Sequence, residues 1–204
     1  MGTASTTTTP ADSRWKPPSV TLGRPAPAAV VELVKVLNMN LGEGIFAAPN
    51  LQRDLQDASV LVTGADADGK VVGGAVARLL VPADVDYYRR FGAAASEAFR
   101  DGPIGSVEAL AVVPFARRSG TGRRLLLESL EWCRERGCRH VVAVSWISGG
   151  GGTSAGLFAA AGFTMGETIA EFYLNESLRD GWLCPACGAG CRCGGQFVYR
   201  RLDA

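Results

Sequence analysis

Between Val107 and Arg124 the sequence passes from an apolar strand, through a basic glycine turn, into the start of a helix. Apolar residues recur at helical spacing from about residue 122 to 136, which predicts a helix with one buried face. Four arginines crowd the start of this helix: Arg117, Arg118, Arg123 and Arg124. Cations are unfavourable there, because unpaired amides and the macrodipole already place about half a positive charge at a helix N-terminus. The pattern therefore predicts a bound anion, with Gly120 and Gly122 letting backbone N–H groups approach phosphate oxygens.

The Gly-Thr-Gly turn fits neither of two common nucleotide-binding motifs. A dinucleotide fingerprint needs a third small residue where Leu125 stands, and an acidic residue at the end of the next strand, which reads Val144-Ser145-Trp146. A Walker A loop needs a Gly-Lys-Ser/Thr triplet, which the sequence lacks. An ordinary strand-to-helix loop with surface arginines is the remaining structural alternative.

The same segment resembles the acyl-CoA pyrophosphate loop of the GNAT superfamily of N-acyltransferases. The loop pattern Gln/Arg-x-x-Gly-x-Gly/Ala falls on Arg117, Gly120 and Gly122, and the preceding Ala-Val-Val-Pro resembles the strand end that leads into it. The resemblance implies that the acetyl-CoA pyrophosphate rests on the turn while the pantetheine arm lies along the strand. The residues it implies for acetyl-CoA binding are Leu110, Ala111, Val112, Val113, Arg117, Arg118, Ser119, Gly120, Thr121, Gly122 and Arg123.

The predicted elements follow the order that this superfamily uses. Up to the basic turn they are a strand at 19–24, a helix at 25–37, a short helix after Pro49, and strands at 60–63, 71–81 and 104–113. After the helix at 122–136 come a strand at 139–146, a helix at 153–161, and strands at 163–174 and 196–202. The resemblance thus implies an α/β fold, with a mixed, mostly antiparallel central sheet flanked by helices.

The chain is predicted to consist of one domain and a tail. Residues 1–18 contain a threonine run and several prolines without apolar periodicity, so they are predicted to be a disordered N-terminal tail. Residues 19–204 are predicted to form a single acyltransferase domain, since a hydrophobic content of 47% supplies an ample core. An insertion at 82–103 contains aromatic residues that we interpret as packing residues of a short helix rather than an acceptor lid.

Glu108 is the candidate catalytic residue, as a general base. It is the only ionisable side chain between Ile104 and Val113, in a strand predicted to be central and buried on both faces. Burial raises the pKa of a carboxyl group, and a raised pKa suits a base that takes a proton from an ammonium substrate. A structural ion pair between Glu108 and a neighbouring strand or helix is the alternative.

A second stretch resembles the superfamily in the helix predicted at 153–161. The usual pattern of Asn, Ala, Leu-Tyr and Gly-Phe falls on Gly151, Ser154, Leu157-Phe158 and Gly162-Phe163. In many relatives the tyrosine donates a proton to the departing CoA thiolate, but Phe158 has no proton to give. Solvent, or a hydroxyl from elsewhere such as Tyr173, is then the expected proton source.

Four of the six cysteines fall within residues 184–193, which we call the knuckle: Cys184, Cys187, Cys191 and Cys193. Small residues between them permit tight turns around a shared centre, and the spacing predicts a structural zinc site. Disulfides and an iron–sulfur cluster are the alternatives, although a reducing compartment would disfavour disulfides. The knuckle is predicted to be inserted in the final hairpin, either beside the acceptor pocket or far from it. Cys133 and Cys138 are predicted to be inert packing residues.

Together with the resemblance, these features predict an acetyl-CoA-dependent N-acetyltransferase whose acceptor is a primary amine, on a small molecule or on a protein or peptide. A non-catalytic acyl-CoA sensor, or a module that uses the knuckle for protein contact, is the alternative. A net charge of +1, from 21 basic and 20 acidic residues, argues against a nucleic acid partner. No apolar run suits a signal peptide or a membrane span, so the protein is predicted to be cytoplasmic. The resemblance leaves a homodimer open.

Overall fold

The computed structural model describes residues 19–100, 102–149 and 153–202. The strands are β1 (Val20–Gly23), β2 (Val60–Ala67), β3 (Lys70–Leu79), β4 (Ile104–Val112), β5 (His140–Ile147), β6 (Thr164–Ile169) and β7 (Gly194–Arg201). The α-helices are α1 (Val30–Leu41), α2 (Ala48–Asp54), α3 (Pro82–Arg89), α4 (Gly92–Ala98), α5 (Thr121–Glu135), α6 (Ala155–Ala160) and α7 (Leu174–Asp180). The predicted tail at 1–18 and the motif position Gly151 lie outside the described residues.

The strands form one sheet in the order β1-β2-β3-β4-β5-β7-β6. Neighbouring strands are antiparallel, except for β4 and β5, which are parallel. A parallel pair needs a crossover connection, and α5 supplies it between β4 and β5. The structure therefore confirms the predicted mixed, mostly antiparallel sheet, with the β4–β5 pair near its centre.

Helices α1 and α5 cover opposite faces of this sheet. Side chains alternate along β3, so Val76 belongs to the apolar cluster of Leu33 in α1, whereas Ala77 belongs to that of Leu126 in α5. Gly74 lets α1 approach closely, because a Cβ there would lie 2.3 Å from Leu33 Cδ1. None of the helices in the described part of the chain is long and apolar enough to cross a membrane.

The predicted insertion at 82–103 contains α3 and α4. Tyr88 and Phe91 are buried in an apolar cluster with Phe197 of β7, and the Phe91 and Phe197 rings stack with centroids 5.4 Å apart. These contacts agree with the interpretation of the aromatic residues as packing residues. Tyr87 differs, because it is 39% exposed and lines a cavity.

The strand predicted at 163–174 is shorter in the structure. It ends at Ile169, and α7 begins at Leu174. Glu171 has a positive φ of 49°, which turns the chain out of the sheet and lets Phe172 pack into the core beside α4. The longer strand was therefore a wrong prediction, because these apolar residues pack from a turn. Strand β7 then returns between β5 and β6, and the knuckle lies in the β6–β7 connection.

Candidate active site

Strands β4 and β5 begin as a paired parallel ladder and then separate. Their register runs from Ile104 opposite His140 to Val107 opposite Ala143, although both strands continue for several residues. Beyond Val107, the edge of β4 that faces β5 therefore has no strand partner. Such an edge lets an extended ligand add to the sheet through backbone hydrogen bonds.

Two cavities open beside the separated strands. The first, of about 460 Å³, is lined by residues of β4, β5, α6 and α7 and by the loop between α1 and α2. The second, of about 350 Å³, is lined mainly by residues of α3, β4 and β5. Four lining residues are common to both cavities: Val107, Glu108, Val144 and Tyr173. Groups bound in either cavity can therefore reach this junction.

Glu108 reaches the junction because it lies in a β-bulge. The β3–β4 register passes from Val76 opposite Ala109 to Ala77 opposite Val107, which leaves Glu108 without a partner on β3. A bulge redirects the side chain of the extra residue, and bulges are common beside active sites. Pairing with β5 also ends at Val107. Glu108 is thus the first residue of β4 that pairs with neither β3 nor β5.

The Glu108 carboxylate forms an ion pair with Arg78 of β3. Arg78 Nε donates to the two carboxylate oxygens at 3.2 and 3.3 Å, and Arg78 Nη2 donates to Asp54 at 3.4 Å. Strand β4 is otherwise largely buried on both faces, as predicted, but the Glu108 side chain is 37% exposed, so the expectation that this carboxylate is fully buried was wrong. The bulge and the separated strands open the site to the cavities. The apolar walls still raise the pKa of Glu108 by shielding it from water, against the opposing effect of Arg78.

The basic turn presents unpaired backbone N–H groups at the start of α5. Gly120 and Arg118 adopt left-handed conformations, with φ of 85° and 61°. The Arg124 N–H donates to the Gly120 carbonyl at 3.0 Å, which begins the helical ladder. Within the described ranges, the N–H groups of residues 118–123 have no backbone acceptor, and that of Thr121 donates to Ser119 Oγ at 3.4 Å. Successive unpaired N–H groups at a helix N-terminus form a site for a phosphate anion.

Two of the four arginines around this turn already bind protein atoms. Arg117 Nε donates to the Val112 carbonyl at 3.0 Å, and Arg124 Nη1 donates to a carbonyl of β1 at 2.7 Å. Arg118 and Arg123 are exposed and have no hydrogen-bond partner in the described part of the chain. Arg117 therefore supports the turn through its hydrogen bond to β4, and Arg118 and Arg123 are the guanidinium groups available to an anion.

The turn and the unpaired edge of β4 form one continuous surface. A Cβ at Gly122 would lie 3.7 Å from Leu110 Cδ2, so the first turn of α5 packs directly over the strand. Leu110 lines the first cavity. At the strand end, the Val112 carbonyl is occupied by an arginine, and the Val113 N–H donates to the Val72 carbonyl at 2.9 Å. The Val112 carbonyl and the Val113 N–H are therefore already paired within the protein.

A buried phenylalanine occupies the position where many relatives have the proton-donating tyrosine. Phe158 is 4% exposed, lines the first cavity, and packs edge to face with Phe163 at 5.1 Å. Tyr173 lines both cavities together with Glu108. Burial raises the pKa of Tyr173 well above its ordinary value, so the hydroxyl is protonated at neutral pH. Tyr173, the residue named from the sequence, therefore lies at the junction of the two cavities.

The four knuckle cysteines come together in one cluster. Their Sγ atoms all lie within 4.8 Å of one another, and the Sγ atom of Cys193 is 3.8 Å from that of Cys184 and 3.3 Å from that of Cys187. A tetrahedral site with Zn–S bonds of about 2.3 Å places its sulfurs about 3.8 Å apart. Two backbone hydrogen bonds of 2.9 Å between Cys184 and Gly188 close the first turn. The donor set fits a tetrahedral metal such as zinc.

The sequence reasoning missed four residues that line the first cavity: Trp146, Glu176, Asp180 and Trp182. Glu176 and Asp180 belong to α7, which was not predicted. Their spacing of four residues was the available signal, because it places two side chains on one face of a helix. No comparable signal existed for the tryptophans, which separate elements of the fold bring together.

Solved structures with this fold include several acetyltransferases. A ribosomal-protein-alanine N-acetyltransferase from Brucella melitensis has a TM-score of 0.59 at 22% identity, covering 89% of this chain and 99% of its own. NAA60 from Arabidopsis thaliana, in complex with a bisubstrate analogue, has a TM-score of 0.67 at 15% identity, covering 91% and 99%. The yncA protein from Salmonella typhimurium, with acetyl-CoA, has a TM-score of 0.60 at 18% identity, covering 91% and 95%.

A sequence comparison identifies the family. No curated protein sequence matches this chain. The model of the Acetyltransferase (GNAT) family matches residues 37–163, which run from within α1 to the residue before β6. This match spans more than half of the 204 residues and includes Glu108 and the basic turn. The chain therefore belongs to the GNAT family of acetyltransferases.

Proposed function

We propose that this protein is an acetyl-CoA-dependent N-acetyltransferase that transfers the acetyl group directly to a primary amine. The observation that carries the proposal is the position of Glu108, where two cavities meet at the unpaired edge of β4. The anion-binding turn lies at the far end of the same edge. An acyl-CoA molecule that extends along β4 from the basic turn to Glu108 would bring its thioester to the Glu108 carboxylate.

The donor is held by the turn and the strand edge. The N–H groups of residues 118–123 and the side chains of Arg118 and Arg123 face the pyrophosphate. The pantetheine arm pairs with β4 in the region of Leu110 and Ala111, where β5 has moved away. Binding along a fixed edge orients the thioester and so lowers the entropic cost of the reaction.

Catalysis then proceeds by direct attack and needs no cysteine nucleophile. Glu108 takes a proton from the attacking nitrogen as the N–C bond forms and the carbonyl electrons move to oxygen. Backbone N–H groups near Leu110 stabilise the oxyanion. The C–S bond breaks as the carbonyl re-forms, and the CoA thiolate takes a proton from the Tyr173 hydroxyl.

Carboxylates and aromatic rings in the cavity walls suit a cationic amine as the acceptor. Glu176 and Asp180 line the first cavity together with Trp146 and Trp182. Both carboxylates form ion pairs, Glu176 with Arg90 at 2.9 Å and Asp180 with Arg179 at 2.7 Å, so the aromatic rings provide the main attraction for a cation. An ammonium group is attracted both by carboxylates and by aromatic faces. The acceptor enters protonated, becomes nucleophilic when its ammonium proton passes to solvent, and gives a second proton to Glu108 as the N–C bond forms. Free amines and peptide N-termini both present this group.

Removing the charges of Arg118 and Arg123 should weaken acetyl-CoA binding. An exposed charge-assisted contact contributes about 1 kcal/mol after solvent screening, so the double variant Arg118→Ala, Arg123→Ala should raise the Kd about 30-fold. Calorimetry at low and high salt measures this, and the wild-type Kd should show the greater salt dependence. The matched control is Arg134→Ala, at the far end of α5. Equal affinities of the double variant and the wild type would contradict the assignment of this turn.

The activity itself is tested by CoA release from acetyl-CoA across a panel of small amines and peptides with free N-termini. The proposal expects release that depends on one of these acceptors and yields an N-acetyl product by mass spectrometry. Phe158 gives the sensor alternative its support, because the usual proton donor is absent from that position. Tight acetyl-CoA binding with background release across the whole panel would favour the sensor.

We also propose that the knuckle holds one structural zinc ion through Cys184, Cys187, Cys191 and Cys193. The Sγ cluster and the tetrahedral spacing support the assignment. Protein purified without added metal should contain about one zinc per chain by elemental analysis, and Cys187→Ser should abolish it. An iron chromophore, or disulfides that persist in native protein, would refute the assignment.

The cellular setting follows from the chemistry proposed for the knuckle. Zinc thiolates need reduced cysteines, which supports a cytoplasmic location. Fractionation of cells that express the protein with a fluorescent fusion would test it. We further propose that residues 19–204 act as a single domain, since donor turn, general base and knuckle all belong to one sheet and its connections.

A further inference from the structure

The knuckle packs directly behind the wall of the first cavity. Its buried cysteines form an apolar cluster with Trp182, and Trp146 and Tyr173 pack against this cluster. All three aromatic residues line the first cavity. The Tyr173 and Trp182 rings also contact each other edge to face, with centroids 6.3 Å apart. The metal-binding centre and the cavity are thus separated by one layer of side chains.

The knuckle also holds α7 in place. The Cys191 N–H donates to Ser177 Oγ at 2.8 Å, and Ser177 is buried in the middle of α7. Glu176 and Asp180, which line the cavity, belong to the same helix. With seven residues, α7 is too short to be stable by itself and depends on such tertiary contacts.

A third contact joins the knuckle to the loop between α1 and α2. Glu43 and Leu183 exchange two backbone hydrogen bonds of 2.8 and 2.9 Å, and Leu183 immediately precedes the first cysteine. Trp182 packs so closely on this loop that a Cβ at Gly42 would lie 2.9 Å from its ring. Cavity-lining residues of the loop include Ile45. The knuckle therefore fixes two walls of the cavity.

The acetyl-CoA side of the site has no such connection. In the described part of the chain, residues 184–193 share no apolar cluster and no hydrogen bond with the basic turn or α5. The turn is supported instead by α1, β1 and β4, through contacts such as that of Arg117 with the Val112 carbonyl. The two halves of the site thus have separate supports.

We propose that the metal-loaded knuckle positions the acceptor-facing walls of the cavity, and that acetyl-CoA binding is independent of it. This inference rests on the proposed function. Metal bound at the four thiolates fixes the positions of Trp182, Leu183 and α7. The contacts of Trp182 and Leu183 then fix the position of the α1–α2 loop. Loss of the metal releases the acceptor walls and leaves the donor turn intact.

Cys187→Ser tests the inference, because Cys187 is the exposed cysteine and its replacement removes a ligand with little loss of packing. We expect loss of zinc, a fall of about 30-fold in kcat/KM for the acceptor, and an acetyl-CoA Kd within about twofold of wild type. Tryptophan emission should also change, since Trp146 and Trp182 adjoin the cluster. Cys187→His offers another zinc ligand and should restore zinc and most of the kcat/KM.

Ser177→Ala provides a second test that retains all four cysteines. It removes the hydrogen bond between α7 and the Cys191 N–H, so zinc should stay bound while the acceptor KM rises about fivefold. Ser96→Ala, on the exposed face of α4, is the matched control. Unchanged acceptor kinetics in a zinc-free Cys187→Ser protein would overturn the inference, as would an acetyl-CoA Kd that weakens in parallel. If the wild type acetylates no amine, the proposed function fails. The inference about the knuckle is then still decided by zinc removal, which should change the tryptophan emission and leave the acetyl-CoA Kd unchanged.

Discussion

Glu108→Gln is expected to lower kcat/KM for the amine about 1000-fold, while the acetyl-CoA Kd stays within about twofold of wild type. The amide keeps the size of the side chain but cannot accept the proton of the attacking nitrogen. Donor binding depends on the basic turn at the other end of the strand edge, which the substitution does not touch. Steady-state kinetics and calorimetry on the same preparation separate the two effects.

The pH dependence provides an independent signature of the base. Shielding from water by the apolar cavity walls raises the pKa of Glu108, so wild-type kcat/KM should fall as the pH drops through this raised value and the carboxylate becomes protonated. The glutamine variant should lack this acidic limb. Both proteins should still gain activity towards high pH, because a primary amine with a pKa of about 10 becomes increasingly neutral there.

Stability measurements distinguish a lost base from a damaged fold. A carboxyl group whose pKa is raised in the folded state favours folding below its unfolded pKa, and that contribution is lost as the pH rises through the folded pKa. Glu108→Gln should therefore not lower the Tm at pH 8. Glu97→Gln, on the exposed face of α4, is the matched control and should behave as wild type. A Glu108→Gln enzyme with full turnover across pH 6 to 9 would leave only the ion pair with Arg78 as the role of this residue.

The basic turn and the knuckle could be predicted from the sequence because their chemistry is local. The helix was predicted to begin at about residue 122 and begins at Thr121, since the glycines and the apolar spacing determine its start. The knuckle cysteines lie within ten residues, so a few tight turns are enough to gather their sulfurs. Neither feature depends on how distant strands align.

The environment of Glu108 could not be predicted in the same way. Its exposure follows from the β3–β4 bulge and from the end of β4–β5 pairing at Val107, and strand register decides both. Its partner Arg78 lies 30 residues earlier in the chain. The acceptor walls are equally non-local, because Trp146 and Trp182 come from different elements. The residue type at the site could therefore be named, whereas the surroundings that tune it could not.

Tyr173→Phe is expected to lower kcat about 100-fold, because the CoA thiolate then loses its proton donor at the junction of the cavities. The hydroxyl makes no hydrogen bond within the described residues, and the phenylalanine ring preserves the contacts with Phe172 and Trp182. The Tm and the acetyl-CoA Kd should therefore change little. The matched control is Tyr199→Phe, because Tyr199 lies in β7 and lines neither cavity.

The substitution Phe158→Tyr tests the same step from the opposite direction. Phe158 lines the first cavity at the position where many relatives have the donor tyrosine, so a hydroxyl there should replace the one lost at Tyr173. In the Tyr173→Phe background we expect Phe158→Tyr to restore kcat about tenfold, and in the wild-type background to change it little. Rapid-quench measurement of CoA release follows the step directly. Full kcat in Tyr173→Phe would assign the proton to solvent, and Phe158→Tyr would then add nothing in either background.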